Sequence, residues 1–500
     1  MRRRAARGDG RNRGRGLAKG RTGGSRGSHG REATLRGEAV DYSDERRSRV
    51  ASTVKASLSA LMIASAIGPA FAQSPATGDC LAGSDKVALA AGVRADSVKD
   101  APECHLTWQE AGIMVGFPPP LDKQVTPDNL FRYPFVRWTL QNTSLFTRTV
   151  SMLSDRKTVR PIPEQRDGAL LDTKLDIGGT DQSVGEYAGK SFTDALVVTK
   201  NGKLVAEWYG NGMSASKPHY ISSVTKGVTG LLAELLIADG RLDDKRPVKS
   251  YVPELAGSPF GDATVRDVLD MKVNVGAGET SGAVDVADAA LWSTMALNSR
   301  QSAYDTLAAV KADGPNDGNF HYASMTTEVA GWVITRAAGE TYQKLASDLL
   351  WSKLGLQDDI VEPVDPTGKV YASTGLTISA RDLAKLGVMI ADHGKVDGKQ
   401  VFAPEVIDRL YEYGDAHAWQ NGNFKKIKVF HSYRSYWYQL AGDDHALMGL
   451  GVYGQGLYIN PTTRVVMVRY SSLPVHSVLE YSDGWDKIRL WLDRTATAAP

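Results

Sequence analysis

A serine and a lysine three residues apart, Ser223 and Lys226, form the pair in this sequence best suited to covalent chemistry. A serine hydroxyl is a weak nucleophile at neutral pH, so it needs a base within hydrogen-bond reach. In a helix, an amine three residues further along lies on the same face, one turn away. The pair therefore predicts a nucleophilic serine whose proton is taken by a neighbouring lysine.

Two other pairs have the same spacing, Ser52 with Lys55 and Ser214 with Lys217, but their surroundings argue against them. The first pair lies in a candidate export signal. In the second, Pro218 follows the lysine directly and disfavours helical geometry there.

The residues after Ser223 have the pattern of an amphipathic helix. Leucines recur at helical spacing at positions 231, 232, 235 and 236, and the pattern stops at Asp239-Gly240. The candidate nucleophile would then lie at a helix N-terminus, where the helix dipole favours developing negative charge.

The formal net charge of +2 averages two unlike parts of this 500-residue chain. The first 50 residues carry fourteen Arg and one Lys against six acidic residues, whereas residues 73–500 carry 43 basic and 51 acidic residues, a net charge of −8. A Gly- and Arg-rich stretch with few large apolar residues cannot build a core, so residues 1–49 are predicted to be a disordered basic arm. We interpret the arm as sequence upstream of the true translation start. The alternative, an RNA-binding arm, lacks interleaved aromatic residues, and no nucleic-acid partner is expected.

Residues 50–72 have the three parts of a cleaved signal peptide. Basic residues between 46 and 55 precede a mostly apolar run at 56–67, and Ala70-Phe71-Ala72 follows as a small-x-small cleavage site. The apolar run is too short to span a bilayer. We therefore expect an exported protein, periplasmic or secreted, that begins near Gln73 and has no stable membrane anchor.

Two cysteines, Cys80 and Cys104, lie just inside this expected N-terminus. In an exported protein such a pair favours a disulfide over a metal site, because no histidine cluster at ligand spacing accompanies it. Two free buried thiols are the alternative. The nine histidines include no HExxH motif, so a zinc peptidase is disfavoured, and we expect neither a metal nor a cofactor.

Residues 73–178 are irregular in pattern and contain Phe131, Tyr133, Phe135 and Trp138. We interpret them as an extended N-terminal segment whose aromatic side chains pack over the main domain, rather than as an aromatic platform for a ligand. Residues 179–500 are assigned to one hydrolase-sized domain.

Two β-hairpins and several helices are predicted in that domain. Residues 195–200 and 203–209 flank Asn201-Gly202, and residues 456–460 and 465–470 flank a second turn. Helical patterns lie between them, at 264–271 and 326–338, and a closing helix is predicted at 485–494. Strands at both ends with helices between them predict an α/β (α+β) fold. Its antiparallel sheet is formed by the N- and C-terminal parts, with helices on its faces and an inserted helical region.

Three further motifs follow the serine in order. Residues 320–324 read FHYAS before a predicted helix, residues 375–386 read GLTISARDLAKL, and residues 449–455 read GLGVYGQ. With the Ser223 pair, this set resembles the class C β-lactamase and esterase superfamily. Within it the chain is most similar to the 6-aminohexanoate-dimer hydrolase-like serine hydrolases, from about residue 128 to the C-terminus.

The resemblance implies a β-lactamase-like fold and a serine acyl-enzyme mechanism. Ser223 would attack the carbonyl of a small amide or ester, with Lys226 and Tyr322 managing its proton and supplying one to the leaving group. The backbone N–H groups of Ser223 and Val452 would form the oxyanion hole. Gly451 and Tyr453 are candidate substrate-binding residues. Gln455 is interpreted as closing its loop by a hydrogen bond.

The sequence also departs from the β-lactamase pattern. Residues 322–324 read YAS where β-lactamases have Tyr-x-Asn, and residues 449–451 read GLG where β-lactamases have Lys-Thr-Gly. Without that lysine, no cation holds a β-lactam carboxylate, so efficient β-lactamase activity is not expected. The alternatives are a penicillin-binding-like or inactive cell-wall binding module and a serine esterase that depends on His321. The oligomeric state is left open.

Overall fold

The computed structural model describes residues 105–275, 286–311, 315–442, 444–474 and 483–497, all within a compact unit that spans residues 71–500. Three sequence predictions fall outside the described residues: the basic arm over 1–49, the signal peptide over 50–72, and the pairing of Cys80 with Cys104.

The strands of the described part form a seven-stranded sheet, a four-stranded sheet and two two-stranded hairpins. In chain order the strands are β1 (Thr149–Met152), β2 (Lys174–Ile177), β3 (Thr180–Ser183), β4 (Thr193–Lys200), β5 (Lys203–Tyr209), β6 (Pro218–Tyr220), β7 (Ile360–Pro363), β8 (Thr377–Ser379), β9 (Lys395–Val396), β10 (Lys399–Gln400), β11 (Phe430–Arg434), β12 (Trp437–Leu440), β13 (Leu447–Gly451), β14 (Gln455–Asn460) and β15 (Val465–Ser471). The four-stranded sheet has the order β1-β7-β8-β6.

The largest sheet joins the two ends of the domain. Its seven strands lie in the order β11-β12-β13-β14-β15-β4-β5, and all neighbours are antiparallel. The first and last parts of the domain meet where β15 pairs with β4, with Val468 opposite Val197. The predicted fold class, with an antiparallel sheet built from both parts, is confirmed.

Both predicted hairpins are present. In the first, Asn201 and Gly202 have φ angles of 53° and 71°. A two-residue turn with both central residues in the left-handed region matches the twist of the flanking strands, which is why Asn-Gly predicts it. The second hairpin is formed by β14 and β15.

The helices lie mostly in the region inserted between β5 and β11. In chain order they are α1 (Val136–Thr139), α2 (Val184–Lys190), α3 (Thr225–Ala238), α4 (Val265–Leu269), α5 (Val286–Ser293), α6 (Ala303–Ala309), α7 (Ser324–Ala338), α8 (Tyr342–Ala346), α9 (Ser352–Leu354), α10 (Ala380–Ala391), α11 (Pro404–Tyr411), α12 (Ala416–Asn421) and α13 (Asp483–Thr497).

Two helix contacts place the site. Helix α10 packs across β4, β14 and β15 on one face of the sheet, and it approaches closely at Gly387, where an added Cβ would lie 2.5 Å from Val466 Cγ1. Helices α3 and α7 pack against each other. Within the described ranges, no helix combines the length and apolar character needed to cross a membrane.

Two of the four aromatic side chains named in the N-terminal segment, Phe131 and Tyr133, pack onto later residues, whereas Phe135 and Trp138 pack within the segment. Tyr133 is buried and meets Phe192 edge-on, with ring centroids 5.9 Å apart. Phe131 stacks on Tyr453 at 6.0 Å. The domain boundary predicted between residues 178 and 179 is not a break in the structure, because it falls in the turn that joins the paired strands β2 and β3.

Candidate active site

Ser223 lies in a 3-10 turn, Ser222–Val224, that leads directly into α3. The preceding strand β6 is anchored by antiparallel pairing with β8. Ser222 has a φ of 49°, a conformation that residues with side chains adopt rarely and only where the surroundings enforce it. The helix begins at Thr225, directly after the turn, so its positive end faces Ser223, the candidate nucleophile.

Lys226 is buried, with 1% of its surface exposed, and its ammonium group points back at the serine. The Nζ atom lies 2.9 Å from Ser223 Oγ, 3.2 Å from Ser324 Oγ and 2.9 Å from the Ser373 carbonyl oxygen. Three acceptors match the three N–H bonds of an ammonium group. A neutral amine fits equally, since it would donate to two of these oxygens and accept the Ser223 proton.

Glycines on α3 bring a hairpin close to this pair. A Cβ on Gly230 would lie 1.8 Å from the Ser435 carbonyl oxygen, and one on Gly227 would lie 2.6 Å from the Trp437 ring. Only glycine permits these approaches. They place the start of β12, with Trp437 and Tyr438, beside the first turns of α3.

Tyr322 presents its ring rather than its hydroxyl to Lys226. The Lys226 Nζ lies 5.2 Å from the Tyr322 ring centroid, within the range of a cation–π contact. The Tyr322 hydroxyl is buried and has no hydrogen-bond partner among the described residues. The structure therefore brings Ser223, Lys226 and Tyr322 together, with the ring of Tyr322 against the lysine.

Aromatic side chains surround Tyr322. Phe424 stacks on it at 5.1 Å and Tyr438 at 6.4 Å, and Trp419 packs against both Phe424 and Tyr438. Burial raises the pKa of Tyr438 well above its usual range, and the neighbouring Tyr322 adds to this effect. Tyr438 therefore stays protonated at neutral pH and can act only as a neutral hydroxyl beside the Tyr322 ring.

The strand β13 runs against the turn that holds Ser223. At Gly451 an added Cβ would lie 2.7 Å from the Ile221 carbonyl oxygen and 3.0 Å from Ser222 Cβ. A side chain at this position would push the strand away. The close approach brings Val452, the next residue, beside the turn, which is where a second oxyanion-hole N–H would have to lie.

Two other candidates from the same motif have structural contacts. Tyr453 has a φ of 63°, and its ring is buried against Phe131, to whose carbonyl oxygen its hydroxyl donates a hydrogen bond at 3.3 Å. The structure thus packs Tyr453 against the N-terminal segment, and its contact with a substrate stays a prediction. Gln455 exchanges hydrogen bonds with the Ser471 backbone, at 2.6 Å and 3.2 Å, as the loop-closing interpretation predicts.

A mechanism that depends on His321 has no support in the contacts of the described residues. The imidazole of His321, adjacent to Tyr322, pairs through Nε2 with Asp317 at 2.8 Å, and none of its described contacts reaches Ser223. Among the residues that the structure describes, no cluster of three His, Cys, Asp or Glu side chains could hold a metal ion.

Three groups at the site were not predicted from the sequence. Ser324 was expected only to lack an amide, yet its hydroxyl accepts a hydrogen bond from Lys226. Ser373 contributes a backbone carbonyl, which residue type does not reveal. Tyr438 lies in a strand without a motif, so nothing in the sequence singled it out.

A Ser-Lys pair at a helix start, beside an antiparallel sheet with inserted helices, defines a serine hydrolase of the β-lactamase superfamily. The chain belongs to the Beta-lactamase family, whose sequence model matches residues 181–482. It is 33% identical over 287 residues to the 6-aminohexanoate-dimer hydrolase of Paenarthrobacter ureafaciens, an alignment that covers 56% of this chain and 73% of that protein.

A solved structure agrees with this assignment. A Bacillus anthracis protein, described as a provisional 6-aminohexanoate-dimer hydrolase, superposes with a TM-score of 0.66 at 27% identity. The superposition covers 73% of this chain and 96% of that one. The resemblance inferred from the motifs is therefore confirmed.

Proposed function

We propose that this protein is an exported hydrolase that cleaves amide or ester bonds of small molecules through an acyl-enzyme on Ser223. The observation that carries the proposal is the 2.9 Å hydrogen bond between Lys226 Nζ and Ser223 Oγ at the start of α3. The activity named for the Paenarthrobacter relative supports short linear amides as the substrate class.

The acylation step follows from this geometry. Ser223 Oγ bonds to the substrate carbonyl carbon while its proton passes to the neutral amine of Lys226. The negative charge on the carbonyl oxygen would be stabilised by the N–H groups of Ser223 and Val452, a contribution of about a hundredfold or more in rate. The carbon–nitrogen or carbon–oxygen bond then breaks, and the leaving group takes a proton from the Lys226 and Tyr322 pair.

Deacylation reverses the proton movements. A water molecule attacks the Ser223 ester, gives a proton to the same pair, and releases the acid and the free serine. Among the described residues the Tyr322 hydroxyl makes no hydrogen bond within 3.5 Å, and in this mechanism it donates one to the leaving group or to this water.

The residues around the pair disfavour a substrate held by a β-lactam carboxylate. Ser324 holds Lys226 and offers no amide, and Gly449 stands where β-lactamases have a lysine. The partly buried rings of Tyr322 and Phe424 stack beside the pair, over the buried ring of Tyr438, and suit an apolar chain.

Covalent labelling with a fluorophosphonate tests the catalytic part of the proposal. We expect stoichiometric modification of Ser223, identified by peptide mass, and turnover on a panel of p-nitrophenyl esters and linear amides. Labelling without turnover on any ester or amide would favour a penicillin-binding-like module. No labelling of folded protein would favour an inactive binding module and would contradict the proposal.

Export rests on the pattern of residues 50–72 alone. Expression of the full chain followed by intact-mass analysis of the exported product should give a chain that begins near Gln73. The two thiols should resist alkylation without a reductant if Cys80 and Cys104 are joined. A product that retains Arg46 would contradict the assignment of the signal peptide.

A further inference from the structure

Glu328 is a fully buried carboxylate that the mechanism above does not use. It lies on α7, one turn after Ser324. Its Oε1 accepts a hydrogen bond from the Ser373 N–H at 2.9 Å, and its Oε2 accepts one from the Ala372 N–H at 3.1 Å and another from the ammonium group of Lys369. Both carboxylate oxygens of Glu328 are thus hydrogen-bonded, to the backbone of residues 372–373 and to Lys369.

The segment that Glu328 holds is the same one that holds the catalytic amine. Ser373 donates its N–H to Glu328 and accepts a hydrogen bond from Lys226 on its carbonyl oxygen. Helix α7 therefore governs two of the three oxygens around Lys226: Ser324 Oγ directly, and the Ser373 carbonyl through Glu328.

The direction of the Lys226 amine depends on these acceptors. A lysine side chain is flexible and its head group can rotate, so fixed oxygens must select the one orientation that faces Ser223. A displacement of about 1 Å at a reacting group can cost about a hundredfold in rate. A charged acceptor makes shorter and stronger bonds to backbone N–H groups than a neutral one does, so a carboxylate at Glu328 fixes the segment firmly.

We infer that Glu328 is a positioning residue, which orients Lys226 toward Ser223 by holding the Ser373 peptide. The inference rests on the proposed function, because it assigns Glu328 a role in activating the nucleophile. Lys369 balances the charge of Glu328 and is itself packed over the rings of Tyr304 and Tyr371, at 5.5 Å and 4.9 Å.

The test compares two variants of Glu328. The double variant Glu328→Gln with Lys369→Met removes both charges of the pair, so neither is left buried alone. Glu328→Asp keeps the charge beside Lys369 but withdraws the carboxylate by one methylene from the Ser373 N–H, and serves if the double variant does not fold. The measurements are the rate constant for fluorophosphonate labelling of Ser223, kcat and KM on an activated ester, and the thermal unfolding temperature.

We expect labelling and kcat to fall about tenfold or more in the double variant, and less in Glu328→Asp, while KM changes by less than about twofold. The same Glu328 changes made in a Lys226→Ala background should cost less than about twofold further, because the residue acts through Lys226. Glu207→Gln is the matched control. Glu207 lies on β5, away from α7, and its replacement breaks ion pairs with Arg166 and Arg381. This variant should therefore lower the unfolding temperature without slowing the labelling.

Two outcomes would overturn the inference. One is unchanged labelling in a folded Glu328 variant. The other is an equal loss in the wild-type and Lys226→Ala backgrounds, which would mean that Glu328 acts on the fold rather than on the amine. If wild-type Ser223 is not labelled at all, the proposed function fails as well, so the two failures are distinguishable.

Discussion

Ser324 and Lys226 lie 98 positions apart in the chain, yet the lysine donates a hydrogen bond to the serine hydroxyl at 3.2 Å. The contact exists because α7 begins with Ser324 and packs against α3, which carries Lys226 in its first turn. A position that β-lactamases use for a substrate amide here supports the amine of Lys226, the candidate base.

The first prediction identifies the nucleophile by comparing two adjacent serines. Ser223→Ala should abolish labelling and turnover, because it removes only the attacking oxygen. Ser222→Ala should change kcat/KM little, since the Ser222 side chain points away from Lys226 and alanine keeps the same Cβ. Active-ester turnover with circular dichroism as the folding control decides it. A folded Ser223→Ala enzyme that retains activity would refute the assignment.

The second prediction concerns the proton path. Lys226→Ala and Tyr322→Phe should each lower kcat/KM by about a hundredfold or more, as removal of general acid or base groups does. The double variant should lose much less than the product of the single losses, because the two groups act as one unit. Losses that multiply would show that the lysine and the phenol act independently.

The third prediction tests the close approach of β13 to the turn Ser222–Val224, which contains Ser223. Gly451→Ala would place a Cβ 2.7 Å from the Ile221 carbonyl oxygen, so the strand must shift. We expect a destabilisation of about 1–3 kcal/mol and a loss of about tenfold or more in kcat. Gly456→Ala, next to it on β14, has no atom within 4 Å of the added Cβ and should behave as wild type. Equal effects at both positions would contradict this account.

The fourth prediction is a dependence of stability on pH that arises from Glu362. Its carboxyl group is fully buried on β7, neither oxygen has a hydrogen-bond partner among the described residues, and burial raises its pKa to about 8. The folded state therefore holds this proton at pH values where the unfolded chain has released it. The contribution to stability is fully present below about pH 4.5 and is lost as the pH rises toward 8.

Glu362→Gln should remove this dependence and raise the free energy of unfolding at pH 8, by on the order of 5 kcal/mol at most. Chemical denaturation of both proteins from pH 4.5 to 8.5 measures this dependence.

Glu207→Gln is a control with the opposite dependence on pH. Burial alone would raise the pKa of Glu207, but hydrogen bonds from Arg381, Arg166 and Tyr209 lower it to about 2. Its stabilisation is thus present above about pH 4.5, and its loss should destabilise the protein at neutral pH. Parallel wild-type and Glu362→Gln curves would contradict the prediction.

Local signals in the sequence were sufficient to predict much of the fold. Asn201-Gly202 requires left-handed backbone at both positions, and the leucines after Ser223 have the spacing of one helix face, so the hairpin and α3 could be assigned from short stretches. The helix predicted over 264–271 is shorter in the structure, since the capping box at Thr264 starts it and Met271, with a φ of 54°, follows its end.

The surroundings of Ser223 were less predictable because they depend on contacts between distant parts of the chain. Nothing local indicates that the carbonyl of Ser373 meets Lys226, or that Tyr438 stacks on Tyr322. For Tyr453 the motif predicts contact with substrate, which stays untested, and it gave no sign that the ring would pack on Phe131 of the N-terminal segment. A sequence motif specifies which residues matter more readily than which way they face.

The acceptors around Lys226 have a consequence for when the candidate site can form during folding. Ser373 lies 147 positions after Lys226, so the amine can be oriented only after the chain has closed a long loop. A fragment that ends before residue 373 can contain Ser223, Lys226 and Tyr322 and still lack the carbonyl that completes their arrangement. On the proposed mechanism, the rate of covalent modification of Ser223 during refolding therefore measures when this arrangement forms. It should report the docking of the 372–376 segment onto α3, a step that the far-ultraviolet signal of helices formed earlier does not record.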